Sequence, residues 1–160
     1  MLFSRRALAI LTAVAALLSI NLFAAGPAQA ATSCSGTITH SQPVYVIGRS
    51  TVIGELVIYY NSSNGGTNSA CLYHRGASYG VYADTEVTIY RCSQRSGEGQ
   101  GCDATISDTD FGHYAYHAGP VGVTGTANYC VAATGWIVWE HPNPDVGKVT
   151  MPVHTNTQGC

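Results

Sequence analysis

The sequence predicts an all-β protein: a disulfide-stabilised antiparallel sandwich or barrel of about eight short strands. Three observations carry this. Apolar residues recur with period two in short runs such as Glu55 to Tyr60 and Glu86 to Arg91. Gly- and Asn-rich turns separate the runs, and 18 of the 160 residues are glycine. Charged residues are only 10% of the chain, against about 25% in ordinary globular proteins, which excludes a charged disordered segment or a solvated helical bundle.

Residues 1–30 read as a cleaved signal peptide. Arg5 and Arg6 give a positive start, Ala7 to Ala25 is almost wholly apolar, and Gly26-Pro27 precedes a small-x-small site at Ala28-Gln29-Ala30. Ser4-Arg5-Arg6 hints at twin-arginine export. Six cysteines that must oxidise outside the cell favour the general route. Cleavage leaves 130 of the 160 residues, one domain's worth, with five basic and nine acidic side chains. The net charge of −4 and the lack of a basic patch argue against a nucleic-acid partner. No membrane contact is expected after cleavage.

Residues 31–140 are expected to form the single all-β domain. Val44 to Ile47 is the first clear run, between Pro43 and Gly48. Glu55 to Tyr60 follows, with Leu56, Ile58 and Tyr60 on one face. Asn64-Gly65 suits the positive φ of a tight hairpin, and Ser69 to His74 returns. Glu86 to Arg91 places Val87 and Ile89 inward and Glu86, Thr88 and Tyr90 outward. Asp103 to Ser107 is a further run, Asp108-Thr109-Asp110 reads as a turn, and Phe111 to His117 alternates again. Ala118-Gly119-Pro120 reads as another turn. Val121 to Thr124, Asn128 to Ala133 and Trp136 to Trp139 complete the set. Residues 141–160, rich in Pro, Asn and Thr, read as an irregular tail tied back by Cys160.

All six cysteines lie beyond the signal, and an even number in an exported chain implies three disulfides. Cys92 and Cys102 flank a polar loop between two strand-like runs and are expected to pair. Cys71 with Cys130 and Cys34 with Cys160 are the further expectation, the latter tying the ends of the mature chain together.

No catalytic constellation stands out. There is no Gly-x-Ser-x-Gly elbow, and paired cysteines leave no thiol nucleophile. His113 and His117 share a strand face but lie about 13 Å apart at 3.3 Å per residue, too far for one ion. No C-x-x-C occurs, so no metal or other cofactor is expected. Asp103, Asp108 and Asp110 cluster as glycosidase acids can, but loop solvation is the simpler reading. The aromatic residues are more suggestive. Tyr114 and Tyr116 would lie on one strand face, and if solvent-facing they can stack on a sugar or anchor a protein, as can Trp136 and Trp139. Arg95, central in the Cys92–Cys102 loop, is a candidate for insertion into an acidic protease pocket.

Two segments resemble a known family. Leu56-Val57-Ile58-Tyr59-Tyr60-Asn61-Ser62-Ser63 with Asn68-Ser69-Ala70-Cys71, and His117-Ala118-Gly119-Pro120-Val121-Gly122-Val123 with Cys130-Val131, are similar to the spore-associated protein A family of small secreted actinobacterial proteins. Cys34 and Cys160 also fit, and the resemblance spans about residues 32–140. In that comparison Cys92 and Cys102 look like an added pair that closes on itself.

The resemblance implies an extracellular protein of the cell or spore exterior that need not be an enzyme. Its partners would be spore or cell-wall surface components, or further copies of itself through exposed strand edges. The alternative expectation is a secreted protease inhibitor or carbohydrate-binding module.

Overall fold

The computed structural model describes residues 34–141 and 143–160, so the signal peptide expected over residues 1–30 lies outside the described residues. Two four-stranded antiparallel sheets face each other. The first has the order β1 (Thr37–Tyr45), β2 (Val52–Asn61), β3 (Thr67–His74), β6 (His117–Thr124). The second has the order β5 (Ala104–Tyr114), β4 (Ala83–Cys92), β7 (Val131–Glu140), β8 (Lys148–His154). The all-β sandwich with its disulfides is therefore the observed fold.

Period-two alternation builds the core. Leu56 and Ile58 of β2, Leu72 of β3 and Val121 and Val123 of β6 meet Val87 and Ile89 of β4, Ile137 of β7 and Met151 of β8, all buried. Asn64 and Gly65 take φ of 53° and 71°, so the β2–β3 connection uses the left-handed backbone that this pair tolerates. Thr88 departs from expectation: it lies on the outward face yet is nearly buried, its hydroxyl 2.9 Å from that of Thr109 in the paired strand.

Several boundaries are corrected. The expected turn at Asp108-Thr109-Asp110 does not form, because β5 runs unbroken from Ala104 to Tyr114. Its two aspartates instead bridge the sheets. Asp110 Oδ2 accepts the Gly119 N–H at 2.7 Å, and Asp108 Oδ2 accepts the Gly122 N–H at 2.8 Å. Asp110 Oδ1 also accepts the Tyr114 hydroxyl at 2.7 Å. The acids close the seam between edge strands β5 and β6.

The expected turn at Ala118-Gly119-Pro120 also lies within a strand, β6. Gly119 has φ of +91°, and a Cβ there would stand 2.7 Å from the Ala70 carbonyl oxygen, so only glycine fits where the β3–β6 register shifts. The runs expected at 128–133 and 136–139 merge into β7, from which Asn128 to Cys130 are excluded.

The tail is not irregular throughout: β8 occupies Lys148 to His154 and pairs with β7 from Glu140↔Lys148 to Thr134↔His154. Prolines suggested an irregular segment, but an edge strand tolerates a missing N–H. Pro43, Pro120 and Pro152 all lie in edge strands, β1, β6 and β8.

The disulfides are Cys34–Cys71, Cys92–Cys102 and Cys130–Cys160. The Cys92–Cys102 expectation agrees with this. The Cys71–Cys130 and Cys34–Cys160 expectations are corrected. Ala70 and Leu72 face the core, so Cys71 between them faces outward with Val57 and Tyr59. Cys130 lies in a separate cluster beside Cys92 and Ala132 at the start of β7. Cys160 is brought to it by the antiparallel bridge Val131↔Gln158. The C-terminus is thus tied back, though not to Cys34.

His74, at the end of β3, is wholly buried. Its Nδ1 lies 3.2 Å from the Ser78 carbonyl oxygen, and its Nε2 lies 2.8 Å from the Thr85 hydroxyl, which also has the Ala83 carbonyl as an acceptor at 3.1 Å. Burial is the main cause that holds its pKa below the ordinary histidine value; the Ser78 carbonyl opposes this in part. The unfolded chain therefore binds a proton that the folded chain refuses. Stability is full above about pH 6.5 and declines as pH falls below it. Urea unfolding at pH 7.5 and 5.0 is expected to give a lower midpoint at pH 5.0. That drop should be smaller in His74→Gln, and an equal drop in both proteins would refute the assignment.

Candidate functional site

The outer faces of the two sheets differ. On the first, polar and aromatic groups satisfy one another. Glu55 accepts Ser41 Oγ at 2.6 Å and pairs with Arg75 Nε at 2.8 Å. The Arg75 guanidinium lies 4.5 Å from the Tyr73 ring centre, and the Tyr73 and Tyr59 hydroxyls share a 2.8 Å hydrogen bond. The Ser41 hydroxyl is the main influence that lowers the Glu55 pKa, with Arg75 assisting against burial. Burial, then the bond to Tyr59, raises that of Tyr73. Cys34–Cys71 packs over Val57 and Tyr59 and covers this face.

The second sheet leaves its rings open. Phe111 of β5 is 59% exposed, and its ring centre lies 5.5 Å from that of Trp136 of β7. Both stand in register with Glu86 of β4, which lies between them. Two residues further along β5, His113 pairs in register with Asp84, and its Nδ1 lies 2.8 Å from Asp84 Oδ1. Tyr82, 68% exposed, stacks on the His113 imidazole at 5.6 Å with 15° between the planes. One Tyr82 face therefore rests on His113 and the other meets solvent. Beside this pair lies a cleft of about 230 Å³ whose lining includes Asp84, Trp139, Glu140 and Lys148.

The sequence-derived candidates fall in different places. Tyr114 ends β5, packs half-buried against the core and donates to Asp110, which is the main reason its hydroxyl pKa is raised. Tyr116 lies in the β5–β6 turn, 56% exposed and edge-on to Tyr79 at 5.2 Å. The two tyrosines do not share a strand face, because the chain turns between them. Arg95 is exposed but folds back: its Nη2 donates to the Tyr129 hydroxyl at 2.8 Å, and its guanidinium lies 4.7 Å from that ring centre. The loop that carries it is tied down by Thr157, which accepts from Gly99 N at 2.8 Å and donates its hydroxyl to Gly97 O at 2.7 Å.

His113 and His117 lie on different sheets, His117 against the Tyr73 ring at 5.6 Å. Among the described residues, no group of three or more His, Cys, Asp or Glu side chains can hold a metal ion. Asp108 and Asp110 are committed to the sheet seam, and Asp103 accepts from the Gln94 side chain at 3.0 Å. Trp136 and Trp139 occupy opposite faces of β7, so only Trp136 joins the open ring surface, while Trp139 packs against the core and lines the cleft.

Sequence reasoning missed the grouping of Tyr82, Asp84 and His113. The β4–β5 register creates it, and the one readable signal was the alternation that puts Phe111 and His113 on a common face. A wider and shallower groove of about 790 Å³ lies between the β1–β2 connection and β8, lined by Tyr45, Ile47, Arg49 and Pro152 among others. No family model, curated protein or solved structure matches this chain.

Proposed function

We propose that the chain is an exported, non-enzymatic β protein that acts as a binding protein at the exterior of the cell or spore of a filamentous actinobacterium. The observation that carries the reading is the contrast between the two sheet faces. One is closed by its own hydrogen bonds and a disulfide, and the other offers Phe111 and Tyr82 to solvent, with half-buried Trp136 against Phe111. All six cysteines are paired, which fits an oxidising compartment. Among the described residues, no helix is long and apolar enough to cross a membrane. The resemblance of residues 56–71 and 117–131 to spore-associated protein A segments supplies the expected location.

The inhibitor alternative draws no support from Arg95, whose guanidinium is held by Tyr129. In a sporulating culture separated into medium, washed mycelium and washed spores, intact mass after reduction is expected to find the chain enriched on spores or mycelium. Recovery almost wholly in the medium would overturn the surface role.

A further inference from the structure

We infer that the outer face of the second sheet, with the cleft at its end, binds a neutral glycan chain. This rests on the reading of the chain as a non-enzymatic binding protein. A pyranose has an apolar C–H face and a rim of hydroxyls. It is recognised by a flat ring beneath it and by hydrogen-bonding groups at its edge. Tyr82 supplies such a ring, braced by parallel stacking on His113. Asp84 fixes that imidazole through its Oδ1 at 2.8 Å. Asp84 and Glu140 supply acceptors beside the ring, and Lys148 supplies a donor in the same cleft.

A second ring surface, Phe111 with Trp136, lies two residues away along β5, about 7 Å at strand spacing. Glu86 stands between those rings in register. Two ring surfaces on one sheet face, each with a carboxylate beside it, suit consecutive sugars of a chain better than a single monosaccharide.

Charge sets the glycan class. Three carboxylates, Asp84, Glu86 and Glu140, against Lys148 and His113 make the face net acidic. Polyanions such as phosphate-bearing wall polymers are repelled, and a neutral glycan meets no such penalty. Tyr82 is 68% exposed and lies outside the core, so truncating it removes contact area without opening a cavity.

The test uses the mature chain and three insoluble probes: chitin, cellulose and peptidoglycan stripped of its anionic polymers. Retention on at least one is expected, unchanged between low and high salt. Tyr82→Ala and Trp136→Ala are each expected to weaken retention by roughly tenfold or more, as loss of a stacked ring implies. Asp84→Asn should weaken it less. Thermal midpoints of Tyr82→Ala and Asp84→Asn should stay near that of the parent, which separates binding from folding. Absence of retention on all three probes would overturn the inference, as would retention that survives Tyr82→Ala or vanishes in salt.

This outcome is separable from the surface role. Spore enrichment without glycan retention leaves the surface role standing with another ligand. Glycan retention by a chain found only in the medium does the reverse.

Discussion

Replacing Cys34 and Cys71 together by serine is expected to lower unfolding stability by about 4 kcal/mol, the chain-entropy value for a closed loop of this length. The bridge spans 37 residues, whereas Cys92–Cys102 spans 10 and is expected to contribute about 3 kcal/mol on the same basis. Loop length alone separates the two only modestly, because the entropy grows as the logarithm of the span. Packing widens the difference. Cys34–Cys71 covers Val57 and Tyr59 on the outside of the first sheet, and the bridge holds that cover in place. Cys92–Cys102 closes a hairpin already held by Ser93 N–H to Asp103 O at 2.8 Å and by Gln94 side-chain bonds. Urea unfolding of the two double-serine variants decides the matter. A larger loss from Cys92–Cys102 would contradict the assigned role of the Cys34 segment.

Removing both seam carboxylates, Asp108→Ala with Asp110→Ala, is expected to cost about 3–5 kcal/mol. Three hydrogen bonds to charged acceptors are lost, each of which contributes roughly 1.5–3 kcal/mol before a discount for partial exposure. The Gly119 and Gly122 N–H groups would lose their acceptors. Amide exchange at those two positions should therefore accelerate more than the global loss of stability explains, because opening of the β5–β6 seam would precede unfolding. Asn at both positions keeps an acceptor of the same shape and should lose less. If Gly119 and Gly122 stay protected in the double alanine variant, the carboxylates do not hold the seam.

Much of the fold was legible because alternation reports burial directly. Val87 and Ile89 were placed inward from the Glu86–Arg91 run alone, and both are wholly buried. The Asn64-Gly65 connection was legible because few other residue pairs accept positive φ at two successive positions.

The failures share a cause: a residue type with a strong local habit was recruited to a long-range task. Aspartate favours turns, yet Asp108 and Asp110 receive backbone N–H groups from another sheet. Proline interrupts strands, yet Pro120 and Pro152 sit in edge strands, where a missing donor is tolerated. Cysteine pairing depended on which face Cys71 occupied, and its neighbours Ala70 and Leu72 held that information without being used.

The candidate face was legible in parts only. The sequence flagged aromatic residues, and Trp136 and Trp139 were among them. The sequence could not show that Asp84 lies opposite His113, since that is a fact of register between strands separated by the Cys92–Cys102 loop. Nor could it show that the turn after Tyr114 would send Tyr116 away from it.

The treatment of the sheet margins bears on how copies of this molecule can meet. A polymer grown by strand addition needs a margin with a free row of donors and acceptors. Here three of the four margins, β1, β6 and β8, each contain a proline, and β6 has further donors occupied by aspartate. The fourth, β5, is turned toward β6 by those same aspartates. Fibril-like growth through backbone pairing is thus disfavoured at every margin. Any layer built from this protein would have to be held by contacts between faces, which leaves each molecule a discrete, exchangeable unit.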